Sequence, residues 1–313
     1  MNYRNKDVFL LCLLLTTFLG VSLYRSLTPM IFNLSASSKS NQILNLVNLY
    51  EPIHENFTCV LTKYLLDIVQ TTICVHSEID SVSRSIIQQK IWEEAHLKRL
   101  FTFLIREPQF SLIDVGANIG TYTMFGAALR RFVVAIECFK PNLDRIRKAV
   151  QLGNYQKNVV LIGNAIYKES GKYLKIESVP DNIGGQSVIT NNTMSYSDTD
   201  LYIVKTIRFD DILPVLKENG IREAIMKVDI QWSEIFLCET CQETFAYVNI
   251  SVVFMEWAIR DIYVRRMIKL LTCLSERGYY PTSDMCAILR YENAFVSWPS
   301  DVYWIKVGYS PRC

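Results

Sequence analysis

Residues 114–120 have the types and spacing of a loop that binds a nucleotide-type cofactor. They read Asp-Val-Gly-Ala-Asn-Ile-Gly, with an apolar run before them and an amphipathic segment after them. Gly116 and Gly120 can adopt backbone angles that other residues avoid, and they let a ligand come close. Asp114 can accept hydrogen bonds from a ligand amine or amide, and a following helix would offer free N–H groups. Alone, the pattern also fits an ordinary tight connection.

Glu137 is an acid at the end of a second apolar run, residues 132–136. In a doubly wound sheet, an acid at the tip of the second strand is placed to bind the ribose hydroxyls of a nucleotide. Together with residues 114–120, Glu137 therefore favours a cofactor site, although by itself it also fits a solvated strand end.

Asp229, Glu256 and Glu234 are the candidates for removing a proton, in that order. Asp229 and Glu256 each end a predicted strand, and such ends meet at the ligand-binding edge of a parallel sheet. All three histidines precede the first predicted core strand, so a core base is a carboxylate or lysine unless the lead-in folds over the site. Asp229 also fits a helix N-cap, and Glu256 a rim ion pair. Two carboxylates do not specify a divalent metal, and no metal site is predicted.

Strands and helices alternate in the segment that would position these residues. The predicted strands are residues 110–115, 132–137, 159–163, 224–229, 251–257, 279–282 and 302–307. Helices are predicted between them, and residues 83–106, with Ser83 as a cap, form one helix before them. This order predicts an α/β, Rossmann-like, doubly wound sheet with helices on both faces.

The composition excludes some classes of protein. The chain has 313 residues, 50% of them hydrophobic, which suffices for one large domain with appendages. The net charge is +2 and the basic residues are dispersed, so a nucleic-acid partner is not expected.

The N-terminus predicts a membrane anchor. Residues 8–24 are uncharged and apolar, and Arg4 and Lys6 precede them. A single-pass type II signal anchor with a lumenal body, in the Golgi or the endoplasmic reticulum, is the first interpretation, and a cleaved signal with secretion is the second. The predicted domains are a tail and anchor at 1–25, a stem and lead-in at 26–82, and the main domain at 83–313.

Cysteines and glycosylation triplets fit a lumenal body. Of the nine cysteines, Cys59 with Cys74 and Cys273 with Cys286 are sensible local pairs, although connectivity stays open. Cys238-x-x-Cys241 is interpreted as structural. Asn-x-Ser/Thr triplets begin at Asn33, Asn56, Asn191 and Asn249.

Several short motifs together carry a resemblance to a known family. They are, in chain order, Asp114 to Gly120, Ile136-Glu137, Pro141-Asn142, Gly163-Asn164-Ala165, Val204 to Ile212, Met226 to Ile230, Val253 to Glu256, and Asp301 to Trp304. In this order and spacing, over residues 108–308, the chain resembles S-adenosylmethionine-dependent methyltransferases of the FkbM family. The resemblance implies a seven-stranded sheet with an antiparallel last strand, and methyl transfer to oxygen on small molecules, sugars or lipids.

The resemblance also implies roles for the residues of the cofactor site. The loop residues Gly116, Ala117, Asn118 and Gly120 would line the methionine part of S-adenosylmethionine. Asp114 would face its amino-acid or ribose side, Glu137 would hold the ribose hydroxyls, and Asn164 would lie near the adenine.

One motif departs from the family. Where the family has Lys-x-Asp-x-Glu-Gly-x-Glu, this chain has Gln231 and Trp232 in place of the acid and the glycine. The expected function is O-methylation of a glycan or a small hydroxylated acceptor, and the alternative is a methyltransferase-like binding protein without catalysis. A glycosyltransferase would need an Asp-x-Asp metal site, and the triplet at 198–200 lies in a polar insertion. The oligomeric state is left open.

Overall fold

A computed structural model describes residues 43–179, 181–189, 194–197, 199–258 and 261–311. The predicted anchor, the first part of the stem, and the triplet residues Asn33, Asn191 and Asp198 lie outside the described residues. Within these ranges no helix combines the length and the apolar character that a membrane span requires.

A seven-stranded mixed sheet forms the centre of the molecule. The described residues form strands in this sheet and in two smaller ones. In chain order they are β1 (Thr58–Leu61), β2 (Thr72–Val75), β3 (Ser111–Val115), β4 (Val133–Ile136), β5 (Val159–Ile162), β6 (Ala165–Ile166), β7 (Tyr173–Ile176), β8 (Val188–Ile189), β9 (Ile203–Ile207), β10 (Glu223–Val228), β11 (Asn249–Glu256), β12 (Tyr279–Thr282) and β13 (Asp301–Lys306). The central order is β12-β13-β11-β10-β3-β4-β5, and β13 runs antiparallel to its neighbours. The predicted α/β sheet with an antiparallel last strand is therefore confirmed.

Helices cover both faces of this sheet. They are α1 (Ser81–Gln89), α2 (Glu94–Arg106), α3 (Thr121–Ala128), α4 (Lys140–Gly153), α5 (Leu213–Glu218), α6 (Glu234–Glu239), α7 (Gln242–Tyr247) and α8 (Val264–Glu276). Side chains alternate across a strand, so Leu112 joins the core with α2, α3 and α4, while Ile113 joins the core with α5, α6 and α8. Burial on both faces explains why the central strands are continuous apolar runs.

The predicted helix at residues 83–106 is wrong in one respect, because two helices occupy this range. The backbone of Lys90 and of Glu93 is left-handed, with φ of 62° and 49°, and this separates α1 from α2. The cap of α1 is Asp80, whose carboxylate accepts the Ser83 N–H at 2.8 Å, and Ser83 itself lies inside the helix.

The described part of the lead-in packs against the edge of the sheet. Residues 43–313 form one compact unit, and the Val47 N–H donates to the Leu161 carbonyl at 2.9 Å. The β1–β2 hairpin belongs to the same unit and carries the Cys59–Cys74 disulfide. The lead-in therefore covers β5, which would otherwise leave an unpaired edge.

The Cys59–Cys74 prediction is confirmed, and the Cys273–Cys286 prediction is wrong. Cys273 pairs with Cys238 and links α8 to α6, which pack side by side on one face of the sheet. Cys286 is engaged in a different disulfide. Cys241 is free and buried, so the Cys-x-x-Cys motif is structural, as predicted.

Candidate active site

The strand order places a ligand crevice between β3 and β10. From the central β3 the chain proceeds to β4 and β5 on one side, and later to β10 and β11 on the other. Ligands bind at the carboxyl ends of the strands where such an order reverses. Gly116 follows β3 and Asp229 follows β10, and the Asp229 N–H donates to the Val115 carbonyl at 3.0 Å.

Gly116 is required by the close approach of these two strand ends. Its φ is +79°, and a Cβ there would lie 1.8 Å from the Asp229 carbonyl oxygen. The Lys227 ammonium donates to the Gly116 carbonyl at 2.7 Å and fixes the loop from below. At the other end of the loop, Gly120 has φ of +85° and precedes α3. A Cβ on Gly120 would meet Ile146 at 2.9 Å.

Glu137 holds the loop through its carboxylate. It accepts N–H groups from Asn118 at 2.8 Å, Cys138 at 2.9 Å and Phe139 at 2.8 Å. Burial raises the pKa of Glu137 to about 7, although these three donors oppose that shift. A carboxylate has about four acceptor positions, so Glu137 retains one that can accept a ligand hydroxyl.

The crevice and its open mouth contain about 510 Å³ of space that protein atoms do not occupy. Gly116, Glu137, Asn142 and Asn164 line its walls, with Asp229 at one end. The strap, defined as residues 181–188, covers it through Ile183, Gly184, Gln186 and Val188. The strap belongs to the insertion that the sequence presented only as a polar loop.

Two amides on the crevice wall have partners within the protein. The Asn164 side chain accepts the Asn45 N–H at 2.7 Å and donates to the Lys205 carbonyl at 3.2 Å. The Asn142 carboxamide oxygen pairs with His76 Nε2 at 2.7 Å. Asn164 therefore forms part of the wall of the predicted adenine region.

Asp114 lies beneath the loop and does not line the crevice. It is fully buried, its Oδ2 accepts the Thr123 hydroxyl at 2.6 Å, and its Oδ1 faces the Lys227 ammonium at 4.0 Å. Burial raises the pKa of Asp114, against the opposing charge of Lys227. In this structure Asp114 supports the loop from within.

The crevice fits the cofactor that the motifs imply. Among the described residues, Asn118 Oδ1 on the loop and Gln186 Oε1 on the strap are acceptor atoms buried without a hydrogen-bond partner. S-adenosylmethionine carries an amino group, two ribose hydroxyls and an adenine amine, all of which are donors. Buried acceptors without donors are costly, so a ligand with several donors suits this crevice.

A second pocket adjoins the crevice at Asp229. This acidic pocket is defined by Glu93, Lys227, Asp229, Glu256 and Asp301, with Phe254 on its wall, and encloses about 530 Å³ including open solvent. Asp229 lines both the crevice and the acidic pocket. Asp229 is therefore a residue that the two compartments share.

Lys227 supplies the positive charge of the acidic pocket. Its Nζ lies 3.4 Å from Asp229 Oδ2, and the side chain is 6% exposed. Burial acts to lower the pKa of Lys227, but Asp229, Asp114 and Glu93 outweigh it and the pKa is raised. Lys227 therefore stays charged beside the Asp229 side chain.

Glu256 and Glu234, the other two candidate bases, differ from Asp229 in their environments. Burial, reinforced by Asp229, Glu234 and Asp301, raises the pKa of Glu256 to about 8. Glu234 lies outside the acidic pocket, where its carboxylate accepts the Ile230 N–H at 3.0 Å and closes the loop before α6. Asp229 does not cap that helix, since the N-cap position is Ser233.

The sequence missed two acids of this pocket. Asp301 starts the antiparallel β13 and lies opposite Glu256 in the register, which the predicted antiparallel strand could have indicated. Glu93 lies between α1 and α2, and no sequence signal connected it to the site. Its carboxylate accepts the Tyr122 hydroxyl at 2.8 Å. Helix α2 also brings His96 to 3.5 Å from Asp301, so the segment before the first core strand does reach this pocket.

Comparison with known proteins gives a family. The model of the methyltransferase FkbM domain matches residues 114–280, more than half of the chain. No curated protein matches the sequence.

Solved structures with similar folds are methyltransferases. The bifunctional kinase-methyltransferase WbdD is 10% identical over 73% of this chain and 42% of its own, with a TM-score of 0.40. An S-adenosylmethionine-dependent O-methyltransferase from Thermotoga maritima is 10% identical over 78% of this chain and 76% of its own, with a TM-score of 0.36. Precorrin-6y C5,15-methyltransferase from Geobacter metallireducens is 12% identical over 74% and 91%, with a TM-score of 0.34. This chain spans less than half the length of WbdD, and likeness at this level says nothing about activity.

Proposed function

This chain belongs to the FkbM methyltransferase family, and on that premise we propose that it methylates a hydroxyl oxygen of a glycan or another small hydroxylated acceptor. The family implies S-adenosylmethionine as the methyl donor. The observation that carries the proposal is the position of Asp229, which lines both the cofactor crevice and the acidic pocket.

In this proposal the crevice holds the cofactor and the acidic pocket holds the acceptor. Glu137 has a remaining acceptor position for ribose hydroxyls, and Asn118 and Gln186 offer buried acceptor atoms. When bound, the cofactor supplies an electrophilic methyl group on a sulfonium sulfur. The protein orients the acceptor and removes its proton, which are the contributions that proximity and general base catalysis require.

Asp229 is the proposed general base. Its carboxylate is paired with the Lys227 ammonium at 3.4 Å and is 35% exposed toward the pockets, so a hydroxyl of the acceptor can approach it. Asp229 would accept the hydroxyl proton as the oxygen gains the methyl group. Glu256 is less suited, because its raised pKa, about 8, leaves it protonated at neutral pH.

The charge of the acidic pocket narrows the acceptor class. Four carboxyl groups surround one ammonium there, so a phosphate, sulfate or carboxylate on the acceptor would meet repulsion. A neutral polyhydroxylated acceptor such as a sugar suits the pocket, because carboxylates accept hydrogen bonds from hydroxyl groups.

The proposal includes a lumenal compartment. The protein would be a single-pass type II membrane protein of the Golgi or endoplasmic reticulum, or a secreted protein if its N-terminal segment is cleaved. The Cys59–Cys74 and Cys238–Cys273 disulfides support an oxidising compartment. The triplet residues Asn56 and Asn249 are exposed, as a glycan acceptor must be.

Binding and transfer test this function separately. We expect calorimetry of the purified chain to show saturable S-adenosylmethionine binding, weakened by Glu137→Ala. Asp229→Asn should retain binding and lose about 10²–10⁴-fold in labelled methyl transfer, as expected for a missing base. Glu243→Gln, an exposed change on α7, is the control for both.

The acceptor panel would contain neutral glycosides and their phosphorylated counterparts. Transfer only to neutral glycosides supports the proposal. A folded chain that binds the cofactor and methylates no acceptor from a total glycan extract would favour the non-catalytic alternative, which Gln231 and Trp232 motivate. A folded chain without cofactor binding would contradict the methyltransferase proposal and would also favour the non-catalytic alternative.

A further inference from the structure

Gln231 lies between two of the acids of the pocket and donates to both. Its Nε2 is 2.9 Å from Asp229 Oδ1 and 3.1 Å from Glu256 Oε2. A primary amide has two N–H donors, and this arrangement uses one on each carboxyl group. The residue that departs from the family motif is thus the hydrogen-bonded bridge of the site.

The backbone at this bridge adopts an uncommon conformation. Gln231 has φ of +49° and Trp232 has φ of +64°. Residues other than glycine avoid this left-handed region, because Cβ crowds the following carbonyl. Such conformations persist where the surroundings hold them, and they cluster at functional sites.

Trp232 is the side chain that holds this conformation. Its indole N–H donates to the Ala258 carbonyl at 3.0 Å, and its ring stacks on Tyr263 with centroids 5.3 Å apart. Arg266 reaches the Trp232 carbonyl at 3.5 Å. Trp232 therefore fixes the turn that presents the Gln231 amide to the two acids.

We propose that Gln231 is the positioning residue of this site: its amide holds Asp229 and Glu256 side by side and so orients Asp229 to act as the base. This inference rests on the proposed function for the role of Asp229. An acid at position 231 would place a third carboxyl group against two others, and one of the three would take up a proton.

The charged groups that face Glu256 come from several elements. They are Asp229 and Lys227 on or after β10, Glu234 on α6 and Asp301 on β13, and Glu93 before α2 lines the same pocket. Of these five groups Lys227 alone is cationic, and it already contacts Asp229 and the Gly116 carbonyl. The uncharged Gln231 amide, which donates to Asp229 and Glu256, therefore reduces the repulsion between these two acids that Lys227 alone does not offset.

A cycle of variants of the cofactor-free chain tests this. Gln231→Glu, Glu256→Gln and the double exchange Gln231→Glu/Glu256→Gln are compared with the wild type by thermal unfolding from pH 5 to pH 9. Gln151→Glu is the matched control, because the Gln151 amide also makes two hydrogen bonds, to the Leu49 and Glu51 carbonyls.

The sign follows from linkage. A carboxyl group whose pKa is raised by folding loses its contribution as the pH rises through the folded pKa. The deficit of Gln231→Glu should be small at pH 5 and should grow by about 2–4 °C in Tm toward pH 8. The double exchange restores one amide and one acid, so it should recover most of this loss. Gln151→Glu should show no comparable pH dependence.

A measurement on the wild type covers the case in which Gln231→Glu does not fold. The NMR signals of the Gln231 side-chain amide should shift with a midpoint near the pKa of about 8 of Glu256, and Glu256→Gln should abolish that shift. Amide signals that ignore pH, or a Gln231→Glu deficit that is constant with pH and not recovered by the exchange, would overturn the proposal. Neither readout needs cofactor or acceptor, so failure here is distinguishable from failure of the methyltransferase function.

Discussion

Lys227→Met should destabilise the protein strongly, and more at pH 8 than at pH 5. Lys227 is 5% exposed, and its ammonium contacts the Gly116 carbonyl at 2.7 Å, Asp229 at 3.4 Å and Asp114 at 4.0 Å. Removing one partner of a buried ion pair costs about 3–5 kcal/mol, because the other charge remains buried. Asp114 decides the size of the effect, since it is fully buried.

The pH dependence separates the charge from the lost contact. Burial already raises the pKa of Asp114, and loss of Lys227 removes the main charge that opposes this. A raised folded pKa means that stability is lost as the pH rises through it. We therefore expect a loss of about 3–5 kcal/mol at pH 8. At pH 5, where a carboxyl group with a raised pKa is ionised less than at pH 8, the loss should be smaller, and about 1–3 kcal/mol should remain for the lost hydrogen bond.

Urea unfolding followed by tryptophan fluorescence at both pH values measures this difference. Lys140→Met is the control, because Lys140 is 62% exposed and pairs with Asp144 along α4, and such pairs contribute about 0.5 kcal/mol or less. The reasoning is refuted if Lys227→Met costs under about 1 kcal/mol at pH 8, or costs the same at both values.

Two further predictions concern the loop and a disulfide. Gly116→Ala should abolish cofactor binding in calorimetry, because its Cβ would lie 1.8 Å from the Asp229 carbonyl oxygen. Gly171 also has a positive φ, +75°, but open space surrounds it. Gly171→Ala should therefore cost only about 1–2 kcal/mol of strain and retain cofactor binding. An equal loss of binding in the two variants would contradict this prediction. Cys273→Ser should lower the free energy of unfolding by about 2–4 kcal/mol, since the Cys238–Cys273 bridge closes 35 residues. Reducing agent should destabilise the wild type more than the variant, because the variant no longer has this bridge to lose. An equal loss of stability in both proteins would contradict the prediction.

The sheet could be predicted because its strands are buried on both faces. The mostly apolar runs of β3, β4 and β10, interrupted by Asp114 in β3 and by Lys227 in β10, identify strands without any knowledge of their neighbours. The loop after β3 could be predicted because glycines at its two ends are chemically distinctive. By contrast, the break at Glu93 depends on how α1 and α2 pack, and no local signal in the sequence indicates it.

The site, like the fold, was predictable only where its residues follow from the topology of the sheet. Asp229 and Glu256 end predicted strands, so their proximity followed from the topology of a parallel sheet. The position of the strap could not be predicted, because most of its residues are polar or glycine and its place is set by long-range contacts. The Ile183 N–H donates to Asp80 Oδ1 at 2.9 Å, and the Ser81 N–H donates to the Asp181 carbonyl at 3.0 Å.

These contacts make the lead-in a part of the proposed cofactor site. Asp80 is fully buried, and one carboxylate oxygen caps α1 while the other holds the strap. The strap in turn approaches the loop so closely that a Cβ on Gly184 would lie 1.9 Å from the Asn118 amide. Asp80 lies before the segment that matches the family model. The family's segment therefore supplies the floor of the crevice, whereas residues outside that segment hold its cover in place, so binding of the cofactor and packing of the lead-in must be energetically linked.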